Sequence, residues 1–216
     1  MKRPSNITAT ALRRARILVR GRVQGVGFRP TVYREVTARG CGGAIRNTPE
    51  GVVLEIEGTP EAVEEIVENF RSLVPPRARV DELHVEEAQP RGDAEFVIEP
   101  SIADGRSLLP IPADLATCPD CMAELRDSGD RRGGYPFNTC TACGPRFTIA
   151  RAVPFDRPTS AMDEFPLCER CRAEYAEPSD RRFHAQTMSC PACGPSLSLV
   201  DADGSAIEGD PLEHAR

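Results

Sequence analysis

Eight of the nine cysteines lie between positions 118 and 193 as four C-x-x-C pairs: Cys118/Cys121, Cys140/Cys143, Cys168/Cys171 and Cys190/Cys193. Two thiolates at that spacing form a knuckle, and two knuckles close a tetrahedron around a soft divalent ion such as zinc. Disulfides are the competing use, but the N-terminus shows no secretory signal, and paired cysteines in a reduced compartment read as metal ligands. A redox C-x-x-C role is weaker still, because the pairs do not each lead into a βαβ unit. The set repeats after 50 positions, each half reading C-x2-C-x18-C-x2-C, with Asp130-Arg131-Arg132 recurring as Asp180-Arg181-Arg182. The repeat favours two sequential sites, Cys118/121/140/143 and Cys168/171/190/193; an interleaved pairing stays open. Four sulfurs leave no coordination position vacant, so two structural zinc ions are expected. His184 lies near the second set, which is complete without it.

A second constellation sits near the N-terminus. Gly21-Arg22-Val23-Gln24-Gly25-Val26-Gly27-Phe28-Arg29 separates an alternating apolar stretch from a helical one. Glycines let the backbone curl so that successive N–H groups point inward, a nest for anions. A helix opening near Pro30 adds its positive end. Arg29, where loop becomes helix, can grip a phosphate through two hydrogen bonds. Glycine spacing alone fits a turn that binds nothing equally well.

The elements that must position these residues follow from periodicity. Ile17, Val19 and Val23 alternate through a strand over Ala15–Val23; Pro30 to Gly40 reads as a helix. Ala44–Asn47 and Gly51–Gly58 read as strands joined at Thr48-Pro49-Glu50. Thr59-Pro60 opens a second helix, which buries Val63, Ile66, Val67, Phe70 and Val74 and stops at Pro75-Pro76. Val80–Glu87 and Glu95–Glu99 complete β-α-β-β-α-β plus one strand, an α+β sandwich with both helices on one face of a mostly antiparallel sheet. Residues 1–14 are expected to be a disordered lead-in, 15–100 the first domain, 101–113 a linker, 114–196 a tandem zinc domain with repeats 118–145 and 168–195, and 197–216 the start of a further linker. The zinc domain is poor in long apolar runs and depends on its metal as a staple, so the two cores are expected to be separate. Cys41 reads as a buried thiol and His84 as a solvent-side strand residue.

Composition excludes several classes. No run approaches the roughly 18 apolar residues of a membrane span, and a soluble cytoplasmic protein is expected. The net charge of −6 comes from residues 101–216, which carry 12 basic and 18 acidic side chains. A nucleic-acid module shows a basic stripe instead. The rival binding-module reading, a zinc surface with an inert first half, is therefore weaker for nucleic acid than for protein.

The nine-residue string, with Arg46-Asn47-Thr48-Pro49-Glu50-Gly51 downstream, resembles the acylphosphatase family over residues 15–100. The resemblance implies a ferredoxin-like fold and acyl-phosphate hydrolysis without a cofactor. It also implies that the backbone of Gln24, Gly25, Val26, Gly27 and Phe28 binds phosphate, that Arg29 anchors it, and that Asn47 orients the attacking water. Ala44 departs from the bulkier residue many relatives carry, which bears on packing more than on chemistry.

The strings Tyr135-Pro136-Phe137-Asn138-Thr139-Cys140, Cys143-Gly144-Pro145-Arg146-Phe147-Thr148, Phe165-Pro166-Leu167-Cys168 and Asp180-Arg181-Arg182-Phe183-His184-Ala185-Gln186 resemble the N-terminal part of the HypF carbamoyltransferases of nickel–iron hydrogenase maturation. That resemblance implies hydrolysis of carbamoyl phosphate as a first step. Carbamate would then pass to a YrdC-like domain, be activated with ATP, and be transferred to the partner HypE as the precursor of a cyanide ligand. Those later steps are expected to belong to downstream YrdC-like and transferase domains, because the 216 residues contain no G-x-x-x-x-G-K-S/T run. Neither nucleic acid nor membrane is an expected partner.

Overall fold

The computed structural model describes residues 11–102, 114–144 and 146–214. Strand β1 (Arg13–Arg22) leads through the glycine loop into helix α1 (Phe28–Ala38), and β2 (Gly42–Thr48) and β3 (Gly51–Gly58) form a hairpin. Helix α2 (Pro60–Leu73), β4 (Arg79–Ala88) and β5 (Phe96–Ile98) follow. The strand order is β4-β1-β3-β2-β5, antiparallel except for the parallel β2–β5 pair. Register places Val85, Ile17, Leu54, Ile45 and Ile98 in one row across all five strands. The central three are fully buried against Val32, Val36, Val63, Ile66 and Phe70 of the helices. This is the expected ferredoxin-like sandwich.

Helix starts follow local chemistry. Thr59 caps α2 by accepting from the Ala62 N–H, and Pro60 fills the first helical position, where no donor is needed. Helix α1 begins at Phe28, two residues before the expected start at Pro30, so Arg29 lies in its first turn. Proline fits there because first-turn amides have no intrahelical partner.

The lead-in is shorter than expected where described. Strand β1 starts at Arg13, and Arg14 is one of the most buried charges in the molecule. Its guanidinium meets Glu55, Glu57 and Asp93, while Glu57 also accepts from the Arg91 and Gly92 amides at 2.7 Å each. Burial opposes the ionised form of Glu57, but these donors prevail and hold its pKa below the ordinary carboxylate value. Most of the expected linker, 103–113, and residues 1–10 lie outside the described residues. Cys41 is buried and desolvation raises its thiol pKa, while His84 is exposed beside Glu82, as expected of both.

The second half is built twice. Helices α3 (Pro119–Arg126) and α4 (Glu169–Ala176) each begin after the first cysteine of a pair and carry the second in their first turn. The repeats brace each other reciprocally. Arg132 reaches Glu174 and the Ser189 carbonyl; Arg182, fifty positions on, reaches Glu124 and the Thr139 carbonyl. Beyond the repeats, β6 (Leu199–Val200) and β7 (Ala206–Ile207) pair as a small hairpin, and a short helix α5 (Pro211–His214) follows. The tail expected to be linker therefore has local structure.

The two halves do not stand apart. Arg34 on α1 donates to the carbonyls of Pro178 and Asp180, and the Tyr33 and Phe183 rings lie 5.0 Å apart. A side chain at Gly27 would meet the Thr141 carbonyl at 3.2 Å. Glycine here satisfies both the left-handed φ of 76° and this close approach.

Candidate phosphate site and metal centres

The loop between β1 and α1 has the character of an anion nest. Gly25 and Gly27 adopt positive φ and turn the backbone through the curl. Among the described residues, the N–H groups of Gln24, Gly25, Val26 and Gly27 have no protein acceptor. Such a run of unmet donors at a helix N-terminus asks for an anion. The loop lines a narrow cleft of about 40 Å³ closed from the other half by Thr141, His184 and Gln186.

Arg29 reaches this cleft from the first turn of α1. Its Nη1 donates to Ser101 Oγ at 3.2 Å and its Nη2 pairs with Asp156 Oδ1. Asn47, on β2, is 1% exposed, yet its side-chain Nδ2 and Oδ1 have no partner. A buried amide with both ends unmet fits a role of holding water or ligand. The segment after β5 connects it to Arg29: Ile102 donates its N–H to the Asn47 carbonyl at 2.9 Å, while the preceding Ser101 holds Arg29. Gln24 Nε2 is likewise buried without a partner.

His184 faces this cleft rather than the metal clusters. It has a left-handed φ of 54°, packs its ring at a tilt 4.9 Å from that of Tyr175, and lies between the cleft and a larger chamber of about 350 Å³ that Asp156 and Ser101 also line. Desolvation, with the Arg29 charge added, lowers its pKa to about 4, so the imidazole is neutral near pH 7.

Both four-cysteine sets converge in sequential order, settling the pairing left open above. The sulfurs stand 3.6 to 3.9 Å apart where they touch, as in Cys118–Cys140, Cys140–Cys143 and Cys193–Cys171. Tetrahedral zinc with Zn–S bonds near 2.3 Å requires about 3.8 Å. Guanidinium donors from the opposite repeat meet the sulfurs: Arg181 with Cys121 at 3.1 Å, Arg131 and Arg132 with Cys171 at 3.4 Å. They offset the excess negative charge of a four-thiolate centre. The two clusters are the sites of two structural zinc ions.

Comparison with known proteins agrees with this layout. The Acylphosphatase family matches residues 15–98, and the family described as HypF finger matches 117–150 and 167–200. The acylphosphatase of Thermococcus kodakarensis is 44% identical over 86 residues, which span 93% of that protein and 39% of this chain. The chain belongs to the acylphosphatase family. Both halves together match part of the HypF carbamoyltransferases. HypF2 of Cupriavidus necator is 46% identical over 155 residues, 71% of this chain and 19% of its own length. A full-length HypF crystal structure in a phosphate- and nucleotide-bound form superposes with a TM-score of 0.82 at 38% identity, over 89% of this chain and 26% of that one. The chain thus spans about a fifth to a quarter of the HypF proteins it matches. No helix among the described residues is long and apolar enough to cross a membrane.

Sequence reasoning did not single out Asp156, Ser101 or Thr141, and it weighed His184 only as a metal ligand. Asp156-Arg157-Pro158-Thr159 carries a readable turn pattern, D-x-x-T, and Thr159 Oγ1 accepts the Asp156 N–H at 3.0 Å at the start of the turn Arg157–Thr159. That pattern fixes a local turn and says nothing about a guanidinium 127 positions away.

Proposed function

We propose that this chain hydrolyses carbamoyl phosphate at the glycine loop, as the first step of carbamoyl transfer to HypE in nickel–iron hydrogenase maturation. The observations that carry the reading are the loop amides of Gln24 to Gly27 without an acceptor, the guanidinium of Arg29 with only two of its donors engaged, and the buried, unpartnered amide of Asn47. The phosphoryl group rests on the loop amides and the helix N-terminus, with Arg29 on its equatorial oxygens. Asn47 cannot act as a base near neutral pH, but its carbonyl oxygen can accept from a water and point it at phosphorus. The mixed anhydride is already activated, so positioning and charge neutralisation supply most of the acceleration. Attack of water on phosphorus breaks the bridging P–O bond, leaving phosphate and carbamate. The phosphate named with one HypF crystal structure is consistent with an anion site in that protein.

Each zinc ion supplies a structural staple, held by Cys118, Cys121, Cys140 and Cys143 or by Cys168, Cys171, Cys190 and Cys193. ATP-dependent activation and transfer to HypE are assigned to the YrdC-like and transferase domains of HypF. The test is phosphate release from carbamoyl phosphate, with acetyl phosphate alongside. Turnover of carbamoyl phosphate above acetyl phosphate supports the reading; no release from either contradicts it. Adding magnesium–ATP and HypE to residues 1–216 alone should yield neither AMP nor a carbamoyl mass shift on HypE.

A further inference from the structure

The head of Arg29 is held by two side chains from outside the phosphate loop. Asp156 Oδ1 pairs with Nη2, Ser101 Oγ accepts from Nη1, and the Ser101 hydroxyl itself donates to Asp156 Oδ2. Both ends of the ion pair are largely buried, 11% exposed for Arg29 and 14% for Asp156. Resting on the hydrolytic reading above, we infer that Asp156, supplied by the zinc-bearing half, is a positioning residue for anion binding at the loop. It orients the Arg29 guanidinium so that its unused donors face the phosphoryl group.

Three observations carry this. Asp156 lines the outer chamber and does not line the cleft at the loop, whereas Arg29 lines both. The carboxylate therefore stands behind the guanidinium and leaves the anion's place open. A guanidinium has five N–H donors; two are engaged, and the others have no protein acceptor among the described residues. Asp156 is itself preset, because its backbone is tied to Thr159, whose Oγ1 accepts the Asp156 N–H at 3.0 Å and whose N–H donates to the Asp156 carbonyl at 3.1 Å. A long side chain fixed in advance loses less freedom when the ligand arrives. The shared hydroxyl of Ser101 adds register: the next residue, Ile102, bonds the Asn47 backbone, so one segment sets both the anion anchor and the water-holding amide.

The test uses the full chain with Asp156→Ala, Asp156→Asn and Asp156→Glu, each assayed for inorganic phosphate binding by calorimetry and for carbamoyl phosphate kinetics. Asp156→Ala should weaken phosphate binding and lower kcat/KM by about tenfold to a hundredfold, the range expected of a misplaced catalytic group. The zinc content should stay at two ions. Asp156→Glu should recover part of the loss. Asp156→Asn keeps the shape and a hydrogen bond to Ser101, and should fall in the same direction even if the alanine variant folds poorly. In an Arg29→Ala background, Asp156→Ala should add nothing, because Asp156 acts through Arg29; a purely structural role would still add its cost. Tighter phosphate binding in Asp156→Ala would make the carboxylate a competitor and overturn the inference, as would unchanged binding. If the unaltered chain binds phosphate but releases none from carbamoyl phosphate, the hydrolytic reading fails. The positioning role then still stands if Asp156→Ala weakens that binding.

Discussion

The Arg29 guanidinium and the Asp156 carboxylate form an ion pair across the seam between the two halves, 127 residues apart in sequence. Arg34 and Tyr33, one helical turn further along α1, continue the seam onto Pro178, Asp180 and Phe183. The cleft at the glycine loop is accordingly walled on one side by the acylphosphatase-like half and on the other by the zinc-bearing half.

Metal removal is therefore expected to reach the hydrolytic site. Protein purified without added metal should carry two zinc ions per chain by elemental analysis. Cys121→Ser and Cys171→Ser should each lose one ion, because each site draws on its own repeat. Chelation should unfold residues 114–196 and reduce phosphate release in step with zinc loss. Separate cores predict the opposite, and full activity in the metal-free protein would favour them.

The crossed arginines should matter to stability more than surface ion pairs do. Arg182 is nearly fully buried against Glu124 of the other repeat, as Arg132 is against Glu174. Burial raises the pKa of each glutamate, but its arginines pull it further down, to about 2. Arg182→Ala leaves Glu124 without its deepest partner and should cost roughly 3 kcal/mol. Denaturant unfolding with zinc present measures it; a change below about 0.5 kcal/mol, the range of an ordinary surface substitution, would assign the pair no such role.

His184 gives stability a pH dependence of definite sign. Its pKa falls from the ordinary 6.5 to about 4 on folding, so between these values the unfolded chain binds the proton and the folded one does not. The stability this residue contributes is full above pH 6.5 and is lost as pH falls toward 4. Asparagine tolerates a left-handed backbone, so His184→Asn should remove this part of the slope. Comparing the variant with the unaltered chain cancels the zinc and carboxylate contributions common to both; identical slopes would contradict the assignment.

Much of this arrangement was legible in the sequence, for identifiable reasons. Alternation at Ile17 and Val19 marks a strand half-buried against helices, and Val63, Ile66 and Phe70 mark the helix face that covers it. The C-x-x-C spacing reports local ligand geometry, so the eight cysteines read directly as two centres. In the sequence Arg14 reads as lead-in, because a charge in isolation reads as exposed. Its burial depends on Glu55, Glu57 and Asp93 arriving from two other segments. Asp156 was missed for the same reason: its role arises from packing between two halves whose hydrophobic patterns each look self-contained.

The central claim, hydrolysis at the Arg29–Asn47 site, is tested most directly by comparing kcat and KM for phosphate release from carbamoyl phosphate by the unaltered chain, Arg29→Ala and Asn47→Ala. Arg29→Ala should lose on the order of 3 kcal/mol or more of transition-state stabilisation, about a hundredfold or more in kcat/KM. Asn47→Ala should lower kcat while inorganic phosphate still binds the loop. Undiminished turnover in both variants would contradict the assignment of the reaction to this site.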